Sequence, residues 1–367
     1  MRHKILFLAP IIATALSACS FHGTKHEMKD YVAGELQYNV ANDNFRILQI
    51  TDTHIGDKDN QDLHYKFLQK VIDGANHPDM IVITGDLFTF ASKSTAKRFF
   101  KFMDKQEIPW TVVFGNHDEQ CYFSIDWMTS QLNNRKAYPN CIFKDIQDDS
   151  LQGNCNFAIN IKKDLKEKEV FEQLIMIDSE RYAFGTGFGA YDFIKDNQIQ
   201  WYKDFVDYSK KETEDFKLEP DAKSLMFYHI PLPEINDAYD AAMETKEAIA
   251  KGETPKDPNN KFVDTVDGSE GLEREKTCPP DKNSGLFEAI TGMKETYGEI
   301  YTTDMAFGHD HRNTFIATYE GVTFAYGVKS TDRVYYDEDM LGGQLITLNN
   351  NHSVTYERMF HTYEEVK

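Results

Sequence analysis

Five short blocks of metal-ligating side chains each follow an apolar run. Asp52-Thr53-His54 follows Leu48-Gln49-Ile50, Gly85-Asp86 follows Ile81-Val82-Ile83, and Gly115-Asn116-His117-Asp118 follows Val112-Val113-Phe114. His229 follows Leu225-Met226-Phe227-Tyr228, and Gly308-His309-Asp310-His311 follows Met305-Ala306-Phe307. Imidazole nitrogen with carboxylate and amide oxygen suits Fe, Mn, Zn or Co better than Ca or Mg. A carboxylate placed between two cations stays ionised and offers an oxygen to each. Alone, each block is ordinary turn chemistry. Jointly they are not, because five of the chain's 12 histidines fall in these blocks and the other seven show no such placement.

The blocks need a scaffold that gathers strand ends. Residues two apart on an extended segment point the same way, so Asp52 with His54, and His309 with His311, can face one cavity. Glycine before Asp86, Asn116 and His309 permits a sharp backbone turn. The pattern predicts strands at 45–50, 80–84 and 110–114, separated by helices at 62–75 and 95–105, with a third helix at 126–132. Further strands are expected at 156–161, 173–178, 223–228, 303–307, 322–326, 344–348 and 353–358, with helices at 196–210 and 284–296 between several of them. The early β-α-β-α-β order predicts parallel strands, whose carboxyl ends are where open α/β sheets gather ligands. The polar stretch 236–283 reads as a loop insertion with one short helix near 240–250. A single domain over 43–367 is expected.

The composition narrows the function classes. The 367 residues are 41% hydrophobic and 13% aromatic, ample for a packed core. Forty basic against sixty acidic residues give −20, which repels a phosphate backbone and argues against nucleic-acid binding. Residues 1–18 read as an export signal: a basic start at Arg2 and Lys4, then an apolar run from Ile5 to Leu16 that falls short of the roughly 20 residues a membrane span needs. Leu16-Ser17-Ala18-Cys19 resembles a bacterial lipoprotein cleavage box, with the Cys19 thiol as the lipidation site and 19–42 as a polar tether. The expected location is the bacterial cell envelope, on a periplasmic or outer-membrane face. Cys121, Cys141, Cys155 and Cys278 then suit two disulfides, with three pairings open.

The ordered set Asp-x-His, Gly-Asp, Gly-Asn-His-Asp, His and Gly-His-x-His, spread over 45–358, resembles the calcineurin-like metallophosphoesterase superfamily. His229-Ile230-Pro231-Leu232-Pro233-Glu234, Asn283-Ser284-Gly285-Leu286-Phe287 and Gly308–Asn313 are similar to its Dcr-two-type and purple-acid-phosphatase-like branch. The resemblance implies an α/β fold, a four-layer αββα sandwich of two mixed sheets, with two transition-metal ions in a cleft. It implies one metal on Asp52, His54, Asp86 and His311 and the other on Asp86, Asn116, His229 and His309. It further implies hydrolysis of phosphate esters, monoesters favoured, by a metal-bridging hydroxide, with His117 as general acid and a phosphorylated small molecule as substrate. Asp118 is a candidate to orient His117 or to cap the next helix, and Asn116 and Arg312 are candidates to touch phosphate, although a surface ion pair is the favoured reading for Arg312. Purple acid phosphatases carry Tyr three residues after the bridging Asp and Gly at the position of His54; here Thr89 follows Asp86, so no purple charge-transfer band is expected. The alternative is a lipoprotein of the same fold that binds a phosphorylated ligand or a protein without turnover.

Overall fold

The computed structural model of the protein describes residues 26–183 and 190–367. The expected signal at 1–18 and lipidation at Cys19 lie outside the described residues.

Two mixed sheets form the frame. The five-stranded sheet runs Val354–Phe360, Gly342–Asn349, Asn44–Ile50, Met80–Thr84, Trp110–Val113, with the last three strands parallel. The eight-stranded sheet runs Val32–Gln37, Phe157–Lys162, Glu172–Met176, Ser224–Phe227, Thr302–Phe307, Val322–Tyr326, Ile316–Tyr319, Lys261–Phe262.

Side-chain alternation fixes how these sheets stack. Period 2 sends successive residues to opposite faces. Phe157, Ile159, Leu174, Met176, Leu225, Phe227 and Ala306 join the core shared with the five-stranded sheet. Their neighbours Ala158, Ile175, Met226, Met305 and Phe307 join a second core with helices Asp196–Lys210, Ile235–Lys251 and Leu286–Tyr297. Helices Gln61–Gly74, Lys93–Asp104 and Ile125–Leu132 bury Phe67, Leu68, Phe99, Phe100 and Met128 in the first core. The result is the expected order of helix, sheet, sheet, helix.

Three expectations about the periphery are corrected. The tether does not run to 42, because Val32–Gln37 pairs in parallel with Phe157–Lys162 as the edge of the large sheet, and Tyr31 is buried against Trp201. Alternation there is weak, which is why a polar reading hid an edge strand. The 236–283 stretch is more ordered than a loop with one short helix: Ile235–Lys251 buries Ala238 and Ala242, and Lys261–Phe262 extends the sheet.

The third concerns the cysteines. The two expected disulfides do not form; Cys121, Cys141, Cys155 and Cys278 are free thiols. Cys141 pairs by backbone with Trp110 at one end of strand Trp110–Val113, whereas Cys155 lies against Phe114 beyond the other end, so the strand's length separates them. Burial pushes the Cys121 thiol up to about 12 and raises Cys141 and Cys155 too.

Candidate metal centre

Each expected metal-ligand block sits past the carboxyl end of its strand. The backbone there is turned rather than extended. Asp52, His54, Asp86 and His309 have φ of 54°, 45°, 50° and 80°, a region that non-glycine residues seldom occupy. Such strain persists only where surrounding structure enforces it, and it clusters at functional sites. Here Asp52 N and His54 N donate to Gly85 O and Asp86 O, at 3.1 and 2.9 Å, lacing two ligand turns together.

The glycines act mostly through space. Gly85 does take positive φ, at 88°, but Gly115 and Gly308 do not. A Cβ at Gly115 would strike the Asp86 carboxylate, and one at Gly308 would come within 2.5 Å of Asp52 Oδ2.

The side chains converge as the blocks required. One ligand atom from each of Asp52, His54, Asp86 and His311 lies within 4.8 Å of every other, and all four residues are buried. His54 Nε2 is 3.0 Å from His311 Nε2 and 3.5 Å from Asp86 Oδ2, while His311 Nε2 is 3.4 Å from Asp52 Oδ1. His229 Nε2 is 3.3 Å from Asp86 Oδ2, and the His229 and His309 rings meet edge to face at 5.2 Å. Asp86 therefore stands between the His54–His311 side and the His229 side.

Outer partners set the tautomers. His54 Nδ1 meets Thr89 Oγ1 at 2.8 Å, His229 Nδ1 meets Thr84 O at 2.7 Å, and His311 Nδ1 meets Tyr335 O at 2.8 Å. A carbonyl only accepts, so His229 and His311 carry hydrogen on Nδ1 and aim their Nε2 atoms inward, as ligating histidines do. Thr89, three residues after Asp86, thus holds the His54 ring by its outer nitrogen.

The electrostatics call for positive charge. Burial pushes His54 well below the usual histidine range and His309 down to about 3, leaving both neutral. Burial alone would depress His229 as well, but Asp86 and Asp52 outweigh it and hold that imidazole at about 9. Burial also opposes ionisation of Asp52, yet His311, His229 and Lys329 keep it far below the carboxylate range. Lys329, itself buried, donates from Nζ to Asp52 O at 2.8 Å. Among the described residues, Asp52 Oδ1, Asn116 Oδ1 and His229 Nε2 are buried without a hydrogen-bond partner. Buried polar atoms are normally paired. Converging imidazole nitrogens, carboxylates and an unpartnered amide oxygen are what metal ions would satisfy, so the residues fit the two-metal expectation.

His117 is half-buried at the rim, its ring 4.9 Å from His54. Its backbone N donates to Asp86 Oδ1 at 2.7 Å, and its Nδ1 meets Gln120 Oε1 at 2.8 Å. Asp118 does not orient it. That carboxylate instead accepts from Gly115 N at 2.8 Å and Phe88 N at 3.1 Å, bracing two of the ligand turns. Burial, with Asp86 nearby, pushes Asp118 up to about 7. Arg312 does not reach into the centre either; its Nε is paired with Asp337 Oδ1 at 2.9 Å.

Sequence reasoning missed a sixth block at a strand end, Asp178–Tyr182 after Glu172–Met176. Ser179 Oγ accepts from His229 N and Ile230 N at 3.2 and 2.9 Å. Tyr182 meets Asn116 and His117, and its stacked neighbour Tyr191 packs on His309. The signal was available in polar residues following an apolar strand; without a histidine it did not stand out.

The comparisons follow the same outline. Calcineurin-like phosphoesterase is the family that matches, over residues 45–251, more than half of the chain. Among curated relatives, "Probable inactive purple acid phosphatase 29" of Arabidopsis thaliana is 26% identical over 80% of this chain and 73% of its own length. "Phosphatase DCR2" of Saccharomyces cerevisiae is 26% identical over 74% of this chain and 44% of its own length. Among solved structures, a dimetal phosphatase from Danio rerio aligns with 87% of this chain and 99% of its own at TM-score 0.46 and 12% identity. His309 and His311 fall beyond the matched segment, yet they close the same cage as Asp52 and Asp86. With its strand-end ligands in place and the family matched over most of that cage, the chain belongs to the calcineurin-like phosphoesterase family.

Proposed function

We propose that this protein hydrolyses phosphate esters, monoesters favoured, at a two-metal centre with His117 as the proton donor to the leaving oxygen. The observation that carries the reading is the pair of neutral imidazoles, His54 and His311, aimed at each other across 3.0 Å beside two carboxylates. Asp52, His54, Asp86 and His311 would hold one ion of Fe, Mn, Zn or Co, and Asp86, Asn116, His229 and His309 the other. Bound there, the ions would supply positive charge that polarises a phosphoryl oxygen and acidifies a water.

The chain's own residues do the rest. Neutral His54 and His309 bring no competing protons into the cage, Asp86 and Asp52 hold a proton on His229 that a bound ion would have to displace, and Lys329 offsets part of the carboxylate charge from behind. Gln120 fixes the His117 ring through Nδ1, leaving Nε2 toward the rim. In its imidazolium form the ring carries on Nε2 the proton that a leaving oxygen would take. The acidic surface otherwise disfavours a phosphorylated substrate, so its attraction would come from the centre itself.

A lipid on Cys19 would hang this body from a cell-envelope membrane; residues 20–27 would then be the spacer ahead of the first described helical turn, Met28–Tyr31. No helix among the described residues is long and apolar enough to cross a membrane.

The name of the Arabidopsis relative includes "inactive", which makes ligand binding without turnover the outcome to test against. The test is metal analysis of the purified chain with a panel of phosphomonoesters and phosphodiesters under Mn, Zn and Fe. About two metal equivalents and monoester turnover are expected. Two equivalents with no turnover on any ester would leave a binding protein.

A further inference from the structure

We propose that Tyr182 is a positioning residue that turns the Asn116 amide oxygen toward the metal cage and lines up His117 beside it. The proposal deepens the reading above and rests on Asn116 as a ligand and His117 as the donor.

The geometry is a directed chain of hydrogen bonds. Asn116 Nδ2 donates to the Tyr182 hydroxyl at 2.8 Å. That hydroxyl lies 3.3 Å from His117 Nε2, and His117 Nδ1 lies 2.8 Å from Gln120 Oε1. The Gln120 oxygen can only accept, so Nδ1 carries the hydrogen and Nε2 is left to accept from Tyr182. The bonds then run in one direction, from Asn116 Nδ2 to the Tyr182 hydroxyl and from that hydroxyl to His117 Nε2.

An amide is nearly symmetric in shape but opposite in charge at its two ends. Only the Oδ1 end can serve a cation, and only the Nδ2 end can donate to a hydroxyl. Because Tyr182 takes Nδ2, Oδ1 is turned the other way; it is buried and without a hydrogen-bond partner among the described residues. Among the described residues, no other hydrogen bond of Asn116's side chain decides that choice.

Tyr182 is itself held by its backbone and ring. It pairs with Tyr191 across an antiparallel bridge, and the two rings stack at 5.6 Å and 26°. Tyr191 in turn packs edge to face on His309 at 4.5 Å. The hydroxyl is therefore presented by a wall attached to the same half of the cage that Asn116 serves. Outer partners of this kind typically change metal affinity by about 10- to 100-fold when removed.

The test is Tyr182→Phe in the purified chain, which keeps the ring and its stack. Calorimetric titration with Mn²⁺ alone should show two sites in the wild type. In Tyr182→Phe one site should weaken about tenfold or more and the other should stay unchanged, with the melting temperature preserved. Two sites of unchanged affinity would overturn the Tyr182 role and leave the metal centre standing. No Mn²⁺ uptake by the wild type would remove the metal reading itself, and the proposal with it. A second measurement needs no variant: ¹⁵N-histidine spectra of the wild type should show unprotonated His117 as the Nδ1–H tautomer. The Nε2–H tautomer would contradict the hydrogen-bond chain even if the variant failed to fold.

Discussion

His54 and His311 are 257 residues apart in the chain, yet their Nε2 atoms stand 3.0 Å from each other. Each ring spends its other nitrogen on an outer partner, Thr89 or the Tyr335 carbonyl. His311 Nε2 turns a lone pair toward His54, and Asp52 and Asp86 make the spot negative. Local charge balance is thus the force that a bound metal ion would answer.

Asp86 faces both halves of this arrangement, so its loss should be felt by both. Asp86→Ala is expected to reduce bound metal by at least one equivalent per chain on elemental analysis. Two full equivalents in the variant would contradict its place between the sites.

His117 lies at the rim with its side chain outside the cage. His117→Ala should retain both metals and lose about 10²- to 10⁴-fold in turnover of an ester with a poor leaving group. A 4-nitrophenyl ester, whose leaving oxygen needs little proton assistance, should be affected much less. Equal losses on the two esters would count against proton donation.

Arg312 offers a contrasting expectation. Its guanidinium is paired with Asp337, and its side chain is 39% exposed. An exposed pair of this kind is worth at most about 1 kcal/mol. Arg312→Ala should leave KM and kcat for a phosphomonoester within about twofold; a tenfold rise in KM would place the side chain on the substrate.

Glu172 gives a pH test far from the metal centre. It is buried, accepts from Lys223 N and meets His352 Nδ1, both at 2.7 Å, and burial pushes its carboxyl up to about 7. The unfolded value is near 4.3, so between the two the folded chain holds the proton more tightly. That contribution is complete below the unfolded value and is lost as pH rises through about 7. Glu172→Gln has no proton to lose. Its melting temperature should gain on the wild type by about 2 °C or more between pH 5 and pH 8; a constant difference would show that the carboxyl does not titrate in that window.

How far the sequence could be read depended on whether residue type alone decided the outcome. That Asp52, His54, Asp86, His229, His309 and His311 would converge was legible because few roles suit such groups at the end of a buried strand. Asp118 and Arg312 were ambiguous for a physical reason. Asp118 could turn toward His117 or toward the Gly115 and Phe88 amides, and a three-residue turn decided for the amides and left Gln120 to hold His117. Arg312 found its partner in Asp337, a choice made by the path of a later loop. Tyr182 carried no signal of its own, since a tyrosine after a strand is as often core as site. The edge strand Val32–Gln37 escaped because a sheet edge needs hydrogen bonds more than apolar alternation.

The position of strand Gly342–Asn349 governs when the protein can become itself. It lies between Asn44–Ile50 and Val354–Phe360, so Asn44–Ile50 gains its second neighbour only from a strand synthesised long after it. His309 and His311 follow strand Thr302–Phe307 and arrive equally late. A chain halted before Thr302 would own Asp52, His54, Asp86, Asn116 and His229 yet lack two walls of the cage and one neighbour of its central sheet. Loading of a two-metal centre on these residues would thereby wait for strand Thr302–Phe307, and a product truncated before it would lack the means to capture a full pair of ions.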